Sequence, residues 1–526
     1  MVAQTGRELP AFLLEDARGR ARSFPSGRRA LICFVKDDCP TCHLVMPVLD
    51  ALHAALRADV DFFVAGQTSA GNTALVDTFR PGFELLDDSR LKVSFAYDID
   101  TVPSLFVADG DGRLERLLVG FVRQEWHALA DELGGDAAVS WDSLPEWRPG
   151  CGSLSVDPLI SEKLRAESEN SPLRARRIEV ARADDEFEFM FDQGFSDGLP
   201  LVPPTPERVL RMLSGTVRDP QEVLGVMPPN MGEVTVEKLA INAVMAGCRP
   251  EYLPVVIAAT EAILTEAYNI HGVMATTMGA SPVLVVNGPI RERIGMNMKL
   301  GALGQGNRAN ATIGRAVRLA VRNLGGARPG GTERSTLGNP MKFTMCFAEH
   351  EERSPWSPLH VERGFDPGDS VVTAFTMTSG PTLIVDQDSR HAAQLAGSFG
   401  LGLEAAFHPK AHFATEVLLV VCPEHVDTLV REGYGKPEIR ARIQEVTARP
   451  IGELVEDEIS GVGFKRKVFE AMDEKARSRM LPKFKSPDDI HIVVAGSDAG
   501  KFSGAFHGWA TGEIGSIPVS KKIEEV

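Results

Sequence analysis

The feature that most limits what this chain can fold into is short. Residues 30–35, Ala-Leu-Ile-Cys-Phe-Val, form an unbroken apolar run, and Cys39-Pro40-Thr41-Cys42 follows four residues later. Beyond it, apolar side chains recur at Val48, Leu49, Leu52 and Leu56. The run reads as a buried strand and the recurrence as a helix. A cysteine pair at a helix start has a definite chemical use. Free backbone N–H groups and the positive end of the helix dipole stabilise a thiolate. The pattern therefore predicts Cys39 as an exposed attacking sulfur and Cys42 as the sulfur that resolves a mixed disulfide. Half a zinc site has the same form, but the second CxxC or paired histidines that zinc needs are missing from this region.

The neighbouring sequence alternates strand and helix. Residues 61–65 read as a second strand. Residues 103–108 and 114–120 read as a hairpin around Asp109-Gly110-Asp111-Gly112. Residues 124–133 read as a helix stopped by Gly134-Gly135. With the CPTC motif at the strand–helix junction, Pro47 inside that helix and Thr101-Val102-Pro103-Ser104 ahead of the hairpin, residues 1–135 resemble the thioredoxin-like family, its TlpA or peroxiredoxin-like branch in particular. The resemblance implies that Cys39 attacks, Cys42 resolves and a cis Pro103 shapes the substrate groove. It also implies that the Val102 backbone is offered to an incoming peptide or thiol. The redox pair then needs no cofactor. Two positions depart from the family. Cys33 stands where the family buries an acid, six residues before the first cysteine, and Asp38 replaces an aromatic residue. Asp38 should raise the Cys39 pKa, and a protonated His43 should lower it. The stretch from Cys42 to Pro103 is longer than in minimal thioredoxins, which suits an inserted helix within residues 67–90.

At 526 residues the chain should hold two to four domains of about 100–200 residues. Residues 136–180, with Trp141, Trp147, several prolines and a charged run over 162–177, read as a linker. Residues 181–526 read as one large mixed α/β catalytic domain, with candidate lobes 181–365 and 366–526. The predicted fold class is thus α/β, a thioredoxin-like domain fused to a larger α/β domain. A formal net charge of −16 argues against a general nucleic-acid binder and against an anionic membrane surface. No apolar run reaches the ~18 residues of a membrane span. The first residues show no basic stretch followed by a long apolar one, so the expected setting is a reducing cytoplasm, with a small-molecule substrate and an external thiol or thioredoxin as reductant. A homo-oligomer is compatible with all of this. The seven cysteines are an odd number and too few for a disulfide scaffold, which points to catalytic or metal-binding rather than structural thiols.

The large domain offers several candidates. Cys248 lies between two predicted helices, beside Arg249 and just before Pro250, a setting that favours a thiolate. Cys346 falls in a predicted strand over 342–348, whose alternation would put it on one face with His350 as a nucleophile–base pair. Cys151, in Pro149-Gly150-Cys151-Gly152, is a candidate relay between domains, and Cys422 reads as core. Gly304, Gly306, Asn307 and Arg308, ahead of a clear helix, suit an anion, whereas Arg315, Arg318 and Arg322 read as a solvated or interface face. Glu349, His350 and His360 lie in a twelve-residue polar cluster that can supply acid, base or ligand. Glu404, His408 and His412 are spaced for one helix face and form a weak candidate metal site, although Pro409 interrupts them. The large domain resembles only an uncharacterised bacterial family. A glycine turn over 496–500 is faintly similar to UGSC-like proteins, but Ala499 stands where their redox residue would be.

The leading expectation is a thiol–disulfide enzyme whose N-terminal domain supplies electrons to a fused domain acting on a small, anionic or sulfur-containing substrate. Cys248 is the first choice of acceptor, then Cys346. One alternative is a lyase or hydrolase using the 349–360 cluster, metal-assisted or not. The other is a non-enzymatic redox adaptor.

Overall fold

The computed structural model describes residues 5–168, 171–178, 180, 185–512 and 514–524. The chain divides into two compact units, Met1–Ile178 and Glu179–Val526.

The first unit is built on a five-stranded sheet in the order Leu85–Asp87, Asp61–Gly66, Ala30–Val35, Ser104–Ala108, Leu114–Val119. The first two junctions are parallel and the last two antiparallel. Ala30–Val35 is central and buried along its whole length, which is why it reads as a continuous apolar run rather than an alternating one. Helix Pro40–Leu56 follows it, with Pro40 at a first-turn position where its missing N–H costs nothing. Val45, Met46, Val48, Leu49, Leu52 and Leu56 form its buried face. The expected extra helix is Ser69–Phe79. Helix Arg123–Leu133 ends at Gly134 in the left-handed conformation, with φ at 78°. The Val102–Pro103 peptide is cis.

The expected linker over 136–180 is not a free connection at its start. Trp147–Arg148 pairs antiparallel with Phe121–Val122, and Cys151–Gly152 pairs antiparallel with Thr101–Val102. Val139, Trp141, Leu144 and Cys151 pack on the unit's core. These contacts satisfy backbone groups of residues 101–102 and 121–122 and cover apolar surface of the unit's core. Helix Pro158–Ser168 follows.

The second unit holds a seven-stranded sheet. Its main order is Cys346–Ala348, Ser281–Asn287, Val371–Val385, Phe502–Ala510, Thr415–Val421, Ile490–Val494, with Val519–Lys522 also paired to Val371–Val385. Strands from both sides of residue 365 are neighbours here, since Ser281–Asn287 pairs along its length with residues 371–377. The expected lobes 181–365 and 366–526 are therefore one body. Thr415–Val421 shows the reason for its apolar run. Val417, Leu419 and Val421 face one core with helices Ala392–Leu403 and Lys436–Thr447, while Leu418 and Val420 face a second core with Phe347, Phe375 and Phe506. Helices Val236–Ala246, Leu253–Ile263 and Arg308–Asn323 pack on one another. Among the described residues no single helix is long and apolar enough to cross a membrane.

Two local expectations change. The strand expected over 342–348 is only Cys346–Ala348, because residues 340–342 form a 3-10 turn and Lys342 Nζ is tied to Glu333 at 2.7 Å. The helix that would have carried Glu404, His408 and His412 ends at Leu403, and Phe407 has a φ of 62°. Glu404 pairs instead with Arg449, and His412 Nδ1 lies 2.9 Å from the Pro482 carbonyl oxygen. The three side chains do not share a face, and no metal-binding group of His, Cys, Asp or Glu occurs among the described residues.

Candidate active site

Cys39 is the N-cap of helix Pro40–Leu56, and the Cys42 N–H donates to its sulfur at 3.3 Å. Cys39 and Cys42 sit 3.4 Å apart. Cys39 Sγ also lies 3.4 Å from the carbonyl oxygen of Val102, the residue before the cis Pro103. The Lys36 N–H donates to Cys42 Sγ at 3.4 Å. The Cys42 thiol, with further help from the Cys151 side chain and the backbone at Cys42 and Thr41, pulls the Cys39 pKa down to about 5 against the opposing effect of burial. Burial, then the neighbouring Cys39, pushes Cys42 up. The pair is thus divided into a thiolate and a thiol, the division that attack and resolution need.

One expectation is corrected, and the two departures from the family are placed. Cys39 is not exposed: both sulfurs of the motif are fully buried. Asp38 does not dominate the Cys39 environment. Its carboxylate instead pairs with Lys36 Nζ at 3.1 Å. Cys33 cannot stand in for the missing acid, because burial pushes its thiol up.

The cover over Cys39 is the segment that had read as linker. Cys151 stands opposite Val102 and is half-buried. Thr41 Oγ1 donates to the Pro149 carbonyl at 2.5 Å, and Lys36 Nζ donates to that of Gly152 at 3.1 Å. Buried Gln67 holds the next turn, donating to Ser153 Oγ at 2.6 Å and accepting from the Leu154 N–H at 3.0 Å.

In the second unit a cavity of about 830 Å³ is lined by Arg208, Arg211, Arg249, Arg293 and Arg308, with Cys248 in its wall and Glu251 the acidic residue among its lining side chains. The sequence had picked out Cys248, Arg249 and Arg308 separately, and the fold brings them together. It had missed Arg208, Arg211 and Arg293. Arg208 and Arg211 are three apart on helix Pro206–Leu213, a spacing that shares a face and was readable. Gly304, Gly306 and Asn307 do not line this cavity. Asn307 is the cap of helix Arg308–Asn323, its Oδ1 accepting from the Asn310 N–H at 3.0 Å. Cys248 is buried, its sulfur 3.4 Å from the Thr312 carbonyl, and burial pushes its pKa up to about 12, so the expected thiolate is not what its surroundings favour. Arg315 and Arg318 are not a solvated face. Arg315 pairs with Asp197 at 2.8 Å and buried Arg318 with Glu333 at 3.5 Å.

Cys346 is buried and its thiol is pushed up, chiefly by desolvation. It makes no hydrogen bond with His350 among the described residues, so the expected dyad is not formed. The strand stops at Ala348, and the His350 N–H turns to the Val494 carbonyl at 2.7 Å. Glu349 is fully buried, accepting from Asn287 Nδ2 at 2.7 Å and from the Leu359 N–H at 2.9 Å, and burial raises its pKa. Burial lowers that of His350. His360 is fully buried too, its Nδ1 4.0 Å from Glu351. Five buried atoms of this cluster lack a hydrogen-bond partner: Asn287 Oδ1, Glu349 Oε1, His350 Nδ1 and both ring nitrogens of His360.

Comparison with protein-family models finds no match, and comparison with curated proteins finds none. Solved structures do match in part. StoA from Bacillus subtilis is 20% identical, over 22% of this chain and 96% of that one, with a TM-score of 0.21. The thioredoxin domain of a thiol-disulfide oxidoreductase from Bacteroides vulgatus is 16% identical, over 25% and 97%, with a TM-score of 0.23. A secreted disulfide oxidoreductase of Mycobacterium tuberculosis is 20% identical, over 24% and 96%, with a TM-score of 0.21. Each of these matches spans about a quarter of this chain.

Proposed function

We propose that the chain is a thiol–disulfide enzyme in which the Cys39/Cys42 pair supplies electrons to chemistry in the second unit. The observation that carries this reading is the division of the pair into a stabilised Cys39 thiolate and a Cys42 thiol 3.4 Å away. In the forward direction the Cys39 thiolate attacks one sulfur of a disulfide and releases the other as a thiolate. Cys42 then attacks Cys39 Sγ and displaces the substrate sulfur from the mixed disulfide, its proton passing to that departing sulfur, and the pair ends as the Cys39–Cys42 disulfide, oxidised by two electrons. An external dithiol returns it to the reduced state, in the reducing compartment this reading assumes. Covalent linkage of donor to acceptor raises their effective concentration.

The substrate end of the reading rests on the arginine-lined cavity. Five guanidinium groups around one space suit a small molecule with carboxylate or phosphate groups. Cys248 in the wall is held as a thiol, so it would react only after a bound ligand or a base removes that proton.

The test uses the full chain with a dithiol reductant and a model disulfide. Cys39→Ser should abolish turnover. Turnover unchanged from the parent protein would remove the redox pair from the reaction, and loss of turnover without any small-anion binding to the second unit would leave a redox adaptor.

A second reading, a lyase or hydrolase using Glu349, His350 and His360, has one observation in its favour: the five unpartnered atoms, which is more than a native core normally tolerates in one place. Against it, Glu349 and His360 are fully buried, and acid–base groups must reach the proton they move. Retained activity in Glu349→Gln would end it.

A further inference from the structure

The covering segment does more than bury the redox pair. It pairs with the Val102 backbone, which the resemblance implies is offered to an incoming peptide or thiol. An exposed strand edge can receive an extended segment through its backbone groups. Here that edge is already taken by the chain itself, with Cys151 directly opposite Val102. The approach is close by construction. A Cβ at Gly150 would be 2.3 Å from Thr101 Cγ2 and 2.6 Å from the Val102 carbonyl oxygen, so only glycine fits there. The result is an internal stand-in for a substrate, carrying a cysteine at the position where a substrate cysteine is needed. The three thiols also differ in access. Cys39 and Cys42 are fully buried, and Cys151 is half-buried.

We propose that Cys151 is a third redox-active thiol, which exchanges with Cys39 inside the unit and carries electrons between the buried pair and external thiols. This rests on the reading of Cys39/Cys42 as a redox pair. The step needs no added oxidant. In the oxidised unit the Cys151 thiolate attacks Cys39 Sγ. The Cys39–Cys42 bond breaks as the Cys39–Cys151 bond forms, and the proton lost by Cys151 ends on Cys42. The oxidation level of the unit is unchanged. An external dithiol then attacks Cys151 Sγ and expels Cys39 as a thiolate, and its second sulfur displaces Cys151. The dithiol leaves as a disulfide, and the unit has gained two electrons.

The surroundings match each role. Cys151 and Cys39 are near enough for each to set the other's proton affinity, Cys39 moving down and Cys151 up. The better-stabilised thiolate is the better leaving group, so Cys39 is the sulfur expelled when Cys151 is attacked. Burial keeps Cys42 a thiol once released.

The test is made on the full chain. Cys42→Ser, treated with one equivalent of diamide and digested without reduction, should yield a peptide pair joined through Cys39 and Cys151 as its main disulfide. Parent protein, treated likewise to completion, should yield the Cys39–Cys42 link. In Cys151→Ser, whose side chain keeps the strand pairing, reduction of the oxidised pair by a dithiol should slow by about tenfold or more, as expected when the accessible thiol is removed. Separate adducts at Cys39 and Cys151 in Cys42→Ser, or unchanged or faster reduction in Cys151→Ser, would overturn the proposal while leaving the redox pair intact. Failure of the parent protein to form the Cys39–Cys42 link would remove both the pair and its third thiol.

Discussion

Cys151 stands opposite Val102 in an antiparallel pair, and the Val102 carbonyl oxygen is 3.4 Å from Cys39 Sγ. Residues separated by more than a hundred positions along the chain are thereby brought together, and Cys39 is fully buried. The short strand over this site is held by Thr41 Oγ1 on the Pro149 carbonyl and Lys36 Nζ on that of Gly152.

Gly150→Val should loosen it. The new Cβ meets Thr101 and the Val102 carbonyl far inside van der Waals contact, so the segment must move away. Iodoacetamide should then label Cys39 about tenfold faster or more, because reactivity follows exposure of the thiolate. Peptide mapping after timed labelling measures this, and an unchanged rate would mean that the segment does not gate the thiol.

The pH dependence has a defined sign. Cys39 is lowered to about 5 in the folded chain. An unperturbed thiol titrates near about 8.5. The folded reduced unit therefore binds fewer protons than the unfolded one between those values, and its stability from this group rises over that window and is lost as pH falls through about 5. The ultraviolet absorbance of a single thiolate should appear near about pH 5 in the reduced parent protein and be absent in Cys39→Ser. A first thiolate appearing only near the ordinary thiol range would contradict the assignment.

Glu349 titrates in the opposite direction. Burial raises its pKa, so the folded state holds the proton more tightly than the unfolded one. This contribution is present at low pH and is lost as pH rises above the ordinary carboxyl value of about 4.3. Glu349→Gln should make the unfolding temperature of the second unit less sensitive to rising pH. Glu349→Leu leaves the Leu359 N–H without its acceptor and should cost about 1–3 kcal/mol. Calorimetry of the full chain at several pH values tests both.

The arginine cavity should bind inorganic pyrophosphate. At about a hundred times its dissociation constant, a ligand specific for the folded state adds about 2.7 kcal/mol of stability. The second unit's unfolding temperature should rise with pyrophosphate, less so at high salt. The rise should be much reduced in Arg249→Ala and Arg308→Ala, two positions from different parts of the chain that share this lining. An equal rise in both variants would place the anion elsewhere.

Some of this was readable before any fold was known. The strand at 30–35, the helix running to Leu56, the inserted helix now seen as Ser69–Phe79 and the stop at Gly134 all depend on contacts within a few residues or on a simple period of apolar side chains. Cys39 and Cys42 were identifiable for the same reason: both lie at one helix end. Where a local rule was broken by one residue, the expectation failed. The positive φ at Phe407 separates His408 and His412 from the helix that ends at Leu403.

The amino-acid sequence by itself thus determined the local elements, the place of the CPTC motif at a helix start and the α/β class, because backbone hydrogen bonding and side-chain period act over short distances. Only the tertiary structure decided that residues 147–152 cover the motif, that Cys248 is a buried thiol, that five arginines meet in one cavity and that one sheet spans residue 365. Each of these depends on which distant strand or helix supplies the partner. That choice is made by burial of apolar surface and by pairing of backbone groups across the whole unit, and no short window of sequence contains it.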